Sequence, residues 1–327
     1  MGRPVFRAAR LLVSARAATL AFALTCCATA CTGGSGQPAA GTVPGSASPP
    51  TQSGSPTQPG QPSASAGPTV AATAPTPPST APQTHPAGSK IWQPTPGLTW
   101  QWQLTEPVNT GVNAQVYDID SVDNSAAVVS ALHAAGRKVI CYVNAGAYED
   151  FRPDAARFPA KLLGQSDGWP GEKWLDIRQL ALLRPIMAAR FAVCAQKGFD
   201  AVEADNVDGY QNGSGFPLTA ADQLAYDRML AGLAHADGLA IGLKNDLDQI
   251  PQLLSSFDFA IDEQCAEYSE CGDLEPFVRA GKAVFEAEYN LPLSRFCGQS
   301  VALGFSAILK DTDLDATRQA CPAPGAG

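Results

Sequence analysis

Three carboxylates fall within the run Val202-Glu203-Ala204-Asp205-Asn206-Val207-Asp208. In extended chain a spacing of two turns Glu203 and Asp205 to the same side. A second acidic run, Ile261-Asp262-Glu263-Gln264, ends another short apolar segment. Glycosidic cleavage needs one carboxyl group that gives a proton to the leaving oxygen and a second that attacks the anomeric carbon or activates water. Asp205 and Glu263 are the candidate catalytic pair. Asn206 could hold a sugar hydroxyl or orient a carboxylate. Lys244, followed by Asn245, could lower the pKa of a neighbouring carboxylate and keep it ionised as a nucleophile. Asp118, Asp120, Asn144 and Glu288 also end strand-like runs and, with Glu203, are candidates for substrate binding. Tyr142, Trp100 and Trp102 offer aromatic faces for sugar rings. Plainer roles compete with these: Lys244 in a rim ion pair, the tryptophans in the core, and Asp120, Asp246 and Asp311 as helix caps.

Groups on separate segments can cooperate only if the fold gathers the ends of those segments. Strand-like runs are expected at 99–104, 115–120, 138–144, 200–205, 239–244, 259–263, 283–288 and 305–310. Several are nearly continuous in apolar residues, as parallel strands covered on both faces are. Helical patterns lie between most of them, at 125–135, 180–196, 220–236, 248–255 and 273–280. Gly136, Gly198, Gly238 and Gly281 then stop a helix before the next strand. This alternation predicts an α/β fold, a (β/α)8 barrel of the TIM type, with an open doubly wound sheet as the alternative. In such a barrel the carboxyl ends of the strands converge on one mouth. The candidates fall at those ends.

The barrel is expected to occupy residues 91–327. Residues 1–31 carry Arg3, Arg7, Arg10 and Arg16 before an apolar run at 17–30, which has the form of a secretory signal and is too short for a membrane span. The run ends Ala28-Thr29-Ala30-Cys31, a loose lipobox in which Ala28 stands where leucine is usual. An exported protein is expected, anchored at the cell surface through lipid on Cys31 or, after ordinary cleavage near Ala30, secreted. Residues 32–90 form a linker: 32–89 contain no Asp, Glu, Lys or Arg and are mostly Pro, Ser, Thr, Gly, Ala and Gln, a composition that does not favour ordering. Loss of the leader removes four arginines and no acid, taking the formal net charge from −9 to −13. So acidic a chain disfavours nucleic acid and anionic membrane as partners and suits a neutral or cationic substrate. Of nine cysteines, Cys26, Cys27 and Cys31 lie in the leader. Cys265 and Cys271 flank a short loop and are expected to pair, Cys297 and Cys321 could tie the C-terminal tail to the barrel, and Cys141 and Cys194 read as separate buried thiols. No Cys/His spacing suggests zinc. No metal or other cofactor is expected, and the chain is expected to be a monomer.

From Trp100 to about residue 315 the chain resembles the polygalactosaminidase-type glycoside hydrolases of family 114. The resembling runs are WQWQL (100–104), VYDID (116–120), KVICYVNAGAYEDFRPD (138–154), GWPGEKWLDIR (168–178), GFDAVEADNVDGY (198–210), GFPLTAADQLAY (215–226), GLAIGLKND (238–246), DEQC (262–265) and AVFEAEY (283–289). The resemblance implies endo-acting hydrolysis of α-1,4-linked galactosamine polymers by a (β/α)8 barrel with a retaining mechanism. It also implies that the catalytic acids are Asp205 in EADN and Glu263 in DEQC, here expected as nucleophile and general acid/base. Ala204 stands where the family more often has proline, a change expected to affect local stiffness more than chemistry. A partly deacetylated galactosamine polymer is cationic and would be drawn to an acidic mouth. Two other readings compete. One is a metal-dependent hydrolase holding Mg²⁺ or Ca²⁺ through Asp118, Asp120, Glu203, Asp205 and Asp208; the other is a surface barrel that binds polysaccharide without cutting it.

Overall fold

The computed structural model describes residues 90–322. The signal segment, Cys31 and the linker up to residue 89 lie outside the described residues. In chain order the strands are β1 (Trp100–Gln103), β2 (Val116–Asp120), β3 (Lys138–Asn144), the hairpin β4 (Ala147–Glu149) and β5 (Glu172–Trp174), then β6 (Ala201–Asp205), β7 (Ala240–Lys244), β8 (Phe259–Glu263), β9 (Val284–Glu288), β10 (Ser306–Leu309) and β11 (Gln319–Ala320). All eight expected strands form, within a residue at either end. They pair in parallel in the order β1-β2-β3-β6-β7-β8-β9-β10, and β11 joins β10 antiparallel.

Alternation along these strands separates two apolar sets. Tyr117, Ile119, Val139, Val143, Val202 and Ile241 face the helices and form the larger core cluster. Trp100, Trp102, Val116, Ile140, Ala201, Phe259, Ile261, Phe285 and Ile308 converge inside the sheet in a second cluster. Residues contributed by both β1 and β10 to one interior show that the sheet curls round on itself, as in a (β/α)8 barrel. On this inner face each central strand begins apolar and ends polar. Ile140 gives way to Tyr142 and Asn144, Ala201 to Glu203 and Asp205, and Ile261 to Glu263. The result is an aromatic floor, where Trp100 meets Phe285 with ring centroids 5.2 Å apart, beneath a charged mouth.

The helices are α1 (Ala126–Ala134), α2 (Leu180–Lys197), α3 (Ala220–Ala236), α4 (Ile250–Leu253), α5 (Cys265–Tyr268), α6 (Glu275–Arg279) and α7 (Leu293–Leu303). Thr219 and Asp222 exchange hydrogen bonds in a capping box at the start of α3. All four expected glycine stops have positive φ, Gly198 at 87° as the C-cap of α2. None of the described helices is long and apolar enough to cross a membrane.

The seam between β1 and β10 is filled by the C-terminal segment. The Leu104 N–H donates to Leu314 O at 2.9 Å, Gln101 Nε2 to Ala316 O at 3.1 Å and Arg318 Nη1 to Trp100 O at 2.8 Å, while Ile308 and Leu309 pair with β11. A Cys297–Cys321 disulfide ties this tail to α7, and Cys265–Cys271 closes the loop after β8, as expected. The expectation of separate thiols at Cys141 and Cys194 is corrected. Cys141 faces outward from β3, α2 packs over it, and the two form a third disulfide with Cα atoms 6.0 Å apart.

Candidate active site

Three neighbouring strands each end on an inward-facing ionisable residue: β6 on Asp205, β7 on Lys244 and β8 on Glu263. Each is followed by a residue in the left-handed region, Asn206 (φ 61°), Asn245 (φ 57°) and Gln264 (φ 69°). Asparagine enters that region more easily than most residues. The sharp turn ends the strand at once and lets the amide side chain brace the site. Asn245 Nδ2 donates to Glu263 Oε2 at 3.0 Å, and Asn245 Oδ1 accepts from the Glu263 N–H at 2.9 Å. Asn206 Nδ2 donates to Asn144 Oδ1 at 3.0 Å. The N–H groups of Ala145 and Gly146 both donate to Asp205 O at 3.0 Å. A Cβ on Gly146 would lie 1.6 Å from Asn206 O, so only glycine fits this crossing.

Lys244 is the hub. Its Nζ lies 2.8 Å from Glu203 Oε1, 3.1 Å from Asp205 Oδ1 and 3.3 Å from Glu263 Oε2, with the Trp102 ring centroid 4.4 Å away. The side chain is 1% exposed. An ammonium so deeply buried is stable only among carboxylates. The second oxygen of Asp205 accepts a 2.8 Å hydrogen bond from Tyr142 OH, and Glu263 Oε1 accepts one of 2.6 Å from Tyr289 OH. Burial, reinforced by the Asp205 charge, pushes the Tyr142 phenol far up, so it remains a donor. Beneath them, burial and then the neighbouring Glu203 hold Asp118 well above the ordinary carboxylate range. Burial also raises Glu203, against the pull of Lys244.

Above the hub opens a cleft of about 800 Å³ lined by Trp102, Asp120, Tyr142, Asp205, Asn206, Lys244 and Glu263, all of them sequence candidates. Asp118, Glu203, Asn144 and Asn245 do not line it and support the layer that does. Asp120 does not cap α1, whose N-cap is Ser125; it braces the turn after β2, accepting from the Val122 and Asp123 N–H groups at 2.7 and 2.9 Å, and pairs with Arg152 at 2.7 Å. Trp102 is 1% exposed and serves as floor. Glu288 is a correction: it lies on the outward face of β9, fully buried, and accepts from the Ala266 N–H at 2.8 Å on the helical side of the sheet. One position further, Tyr289 has the inward parity and touches Glu263. Alternation counted from Phe285 and Ala287 would have found it.

The segment between β3 and α2 brings further residues that carried no periodic signal. Phe151, Arg152, Trp169 and Glu172 reach the cleft from the β4–β5 hairpin and its connecting loop. Arg152 bonds both Asp120 and Glu149, at 2.7 and 2.8 Å. Burial and then Asp167 raise Glu172 to about 9. Nine carboxyl groups line the cleft against two cations, Arg152 and Lys244, and both cations are engaged by protein acids.

A curled parallel barrel whose strand ends gather carboxylates around an open acidic mouth is the architecture of the barrel hydrolases. The chain belongs to the family described as Glycoside-hydrolase family GH114, whose sequence pattern matches residues 81–324, and it is a glycoside hydrolase. It is similar to Ega3 of Aspergillus fumigatus, solved in complex with galactosamine, with 40% identity and a TM-score of 0.68 over 71% of this chain and 98% of that one. The glycoside hydrolase domain of PelA from Pseudomonas aeruginosa shares the fold, at 15% identity and a TM-score of 0.53 over 68% of this chain and 96% of that one. An uncharacterized protein of Deinococcus radiodurans is 32% identical over 187 residues, which span 52% of this chain and 58% of that protein.

Proposed function

We propose that the protein is an exported, endo-acting hydrolase of α-1,4-linked galactosamine-containing polysaccharide that works with retention of configuration. In this reading residues 1–31 are the leader, 32–90 a tether and 91–327 the catalytic barrel. The observation that carries it is the contact of one buried ammonium, Lys244, with both Asp205 and Glu263. Two oxygens touching one nitrogen lie no farther apart than its contacts of 3.1 and 3.3 Å combined. Both carboxylates are thereby held within reach of one glycosidic bond, as a two-carboxylate mechanism requires. The similarity to Ega3, solved with galactosamine, and the acidic cleft support an amino-sugar polymer as substrate.

Asp205, held by Lys244 and Tyr142, attacks the anomeric carbon while Glu263 gives its proton to the glycosidic oxygen. The bond to the leaving chain breaks and a glycosyl ester forms on Asp205. Glu263 then takes a proton from water, the resulting hydroxide displaces Asp205, and the sugar leaves with its original configuration. Tyr142 and Tyr289 fix the two carboxylates at their outer oxygens.

Purified protein is to be offered polymers of galactosamine, N-acetylgalactosamine and glucosamine in excess chelator, with products read by mass spectrometry and the first-formed anomer by NMR. Short α-anomeric galactosamine oligomers are expected. Loss of all activity in chelator, or a β-anomer formed first, would overturn the mechanism.

A further inference from the structure

We propose that Arg190 on α2 and Tyr226 on α3 are positioning residues for the reaction, holding the end of the nucleophile's strand from outside the barrel through two peptide groups. This rests on the reading above that Asp205 is the nucleophile. Neither residue lines the cleft. Asn144 and Asp205 are register partners at the ends of β3 and β6. Just beyond them the chain crosses Asp205, whose carbonyl oxygen accepts from the N–H groups of Ala145 and Gly146, both at 3.0 Å. Each of these N–H groups belongs to a peptide unit whose oxygen is held by an outer helix. Arg190 Nη1 donates to Asn144 O at 2.7 Å, and Tyr226 OH donates to Ala145 O at 2.7 Å.

A trans peptide is planar, so its C=O and N–H point in opposite directions. A donor fixed on the oxygen therefore aims the N–H, here at Asp205. The same hydrogen bond polarises the unit and strengthens the N–H as a donor. Both outer donors are themselves held. Arg190 is 11% exposed, forks onto Asp154 with contacts of 2.8 and 2.9 Å and lies 5.0 Å from the Phe158 ring centroid. Tyr226 is fully buried in the larger core cluster. They brace the point where regular pairing stops. Strand β6 ends at Asp205 and Asn206 turns into the left-handed region, so the place of Asp205 depends on what holds its last carbonyl. A shift there moves the carboxylate relative to the anomeric carbon, and about 1 Å of misplacement can cost roughly 100-fold in rate.

Steady-state kinetics on a soluble oligomer that the wild-type protein cleaves, with thermal unfolding in parallel, test the assignment. Tyr226→Phe keeps the ring and removes one hydroxyl. It is expected to lower kcat roughly 3- to 10-fold, with KM within about twofold of wild type because no substrate contact is lost. Arg190→Met cannot donate to Asn144 O and is expected to lower kcat roughly 10- to 30-fold at the same KM. Arg190→Lys keeps a donor for that oxygen but gives up the fork onto Asp154. Its kcat is expected to return to within about threefold of wild type, while its Tm stays as low as that of the methionine variant. Wild-type kcat in Tyr226→Phe and Arg190→Met with only Tm lowered, a rise in KM at unchanged kcat, or equal kcat in the methionine and lysine variants overturns the proposal. Asp205→Asn is measured alongside. If it keeps turnover, the nucleophile reading falls and this one with it; if it is inactive while the Arg190 and Tyr226 variants match wild type, only the positioning role falls.

Discussion

The outer and inner faces of β8 and β9 carry the same residue types and treat them in opposite ways. Inward, Glu263 meets Lys244, Asn245 and Tyr289 at the floor of an open cleft. Outward, Asp262, Glu286 and Glu288 are sealed beneath the helices, no more than 1% exposed. Burial, compounded by other carboxylates, raises Asp262 well above its ordinary range; burial and Glu288 push Glu286 to about 7, and burial pushes Glu288 to about 7 as well. On one face a carboxylate is kept with a cation and two hydroxyl or amide donors, ready to exchange protons with a ligand. On the other it is most stable as a neutral acid and contributes only to the fold. One step in register separates these fates, because alternate strand residues point to opposite sides.

The largest expected effect comes from neutralising the inner pair. Asp205→Asn and Glu263→Gln keep shape and most hydrogen bonds but remove the nucleophile or the exchangeable proton. Each is expected to lower kcat about 10³-fold or more, with thermal unfolding within a few degrees of wild type. Near-normal turnover in both would show that the chemistry lies elsewhere.

Removing the shared cation should damage both activity and fold. Lys244→Met leaves Glu203, Asp205 and Glu263 facing one another without compensation. Breaking a buried pair in this way costs roughly 3–5 kcal/mol, and denaturant unfolding at pH 8 is the measurement. The deficit should shrink at pH 5, where the clustered acids take up protons in the folded state. An equal loss at both pH values would mean that packing over Trp102 matters more than charge.

Much of this was legible in the sequence because burial on both faces writes strands as apolar runs. The same alternation that filled the interior with Ile140, Ala201 and Ile261 put Asp205 and Glu263 on the inner face at the strand ends. Errors arose where local pattern and tertiary position separate. Glu288 was singled out for its charge at a strand end, yet Tyr289 beside it has the inner parity and holds Glu263. Helix α7 carries Gly298 and Ser300 within a pattern whose buried residues are only Phe296 and Ser300, too thin a stripe to read. The Cys141–Cys194 bridge depends on how α2 packs across β3, which no spacing along the chain encodes. Glu172 and Arg152 enter from an irregular insertion whose residues have no periodicity, and only the folded hairpin directs them to the cleft.

The outer face gives the smallest and most specific effect. Burial holds Glu286 and Glu288 up at about 7 in the folded protein, against an ordinary 4.5. Between these pH values the unfolded chain has released protons that the native chain still binds. Their stabilising contribution is therefore complete below about 4.5 and is lost as pH rises through about 7. Glu288→Gln keeps an acceptor for the Ala266 N–H and removes one titrating group. Relative to wild type the variant should gain on the order of 1–3 kcal/mol at pH 8 over its standing at pH 5, read as a flatter dependence of Tm on pH. Because the side chain lies on the helical side of β9, kcat/KM should be unchanged. A loss of activity comparable to that of Glu263→Gln would mean that the two faces are coupled through β9. The division of labour between them would then not follow from strand parity alone.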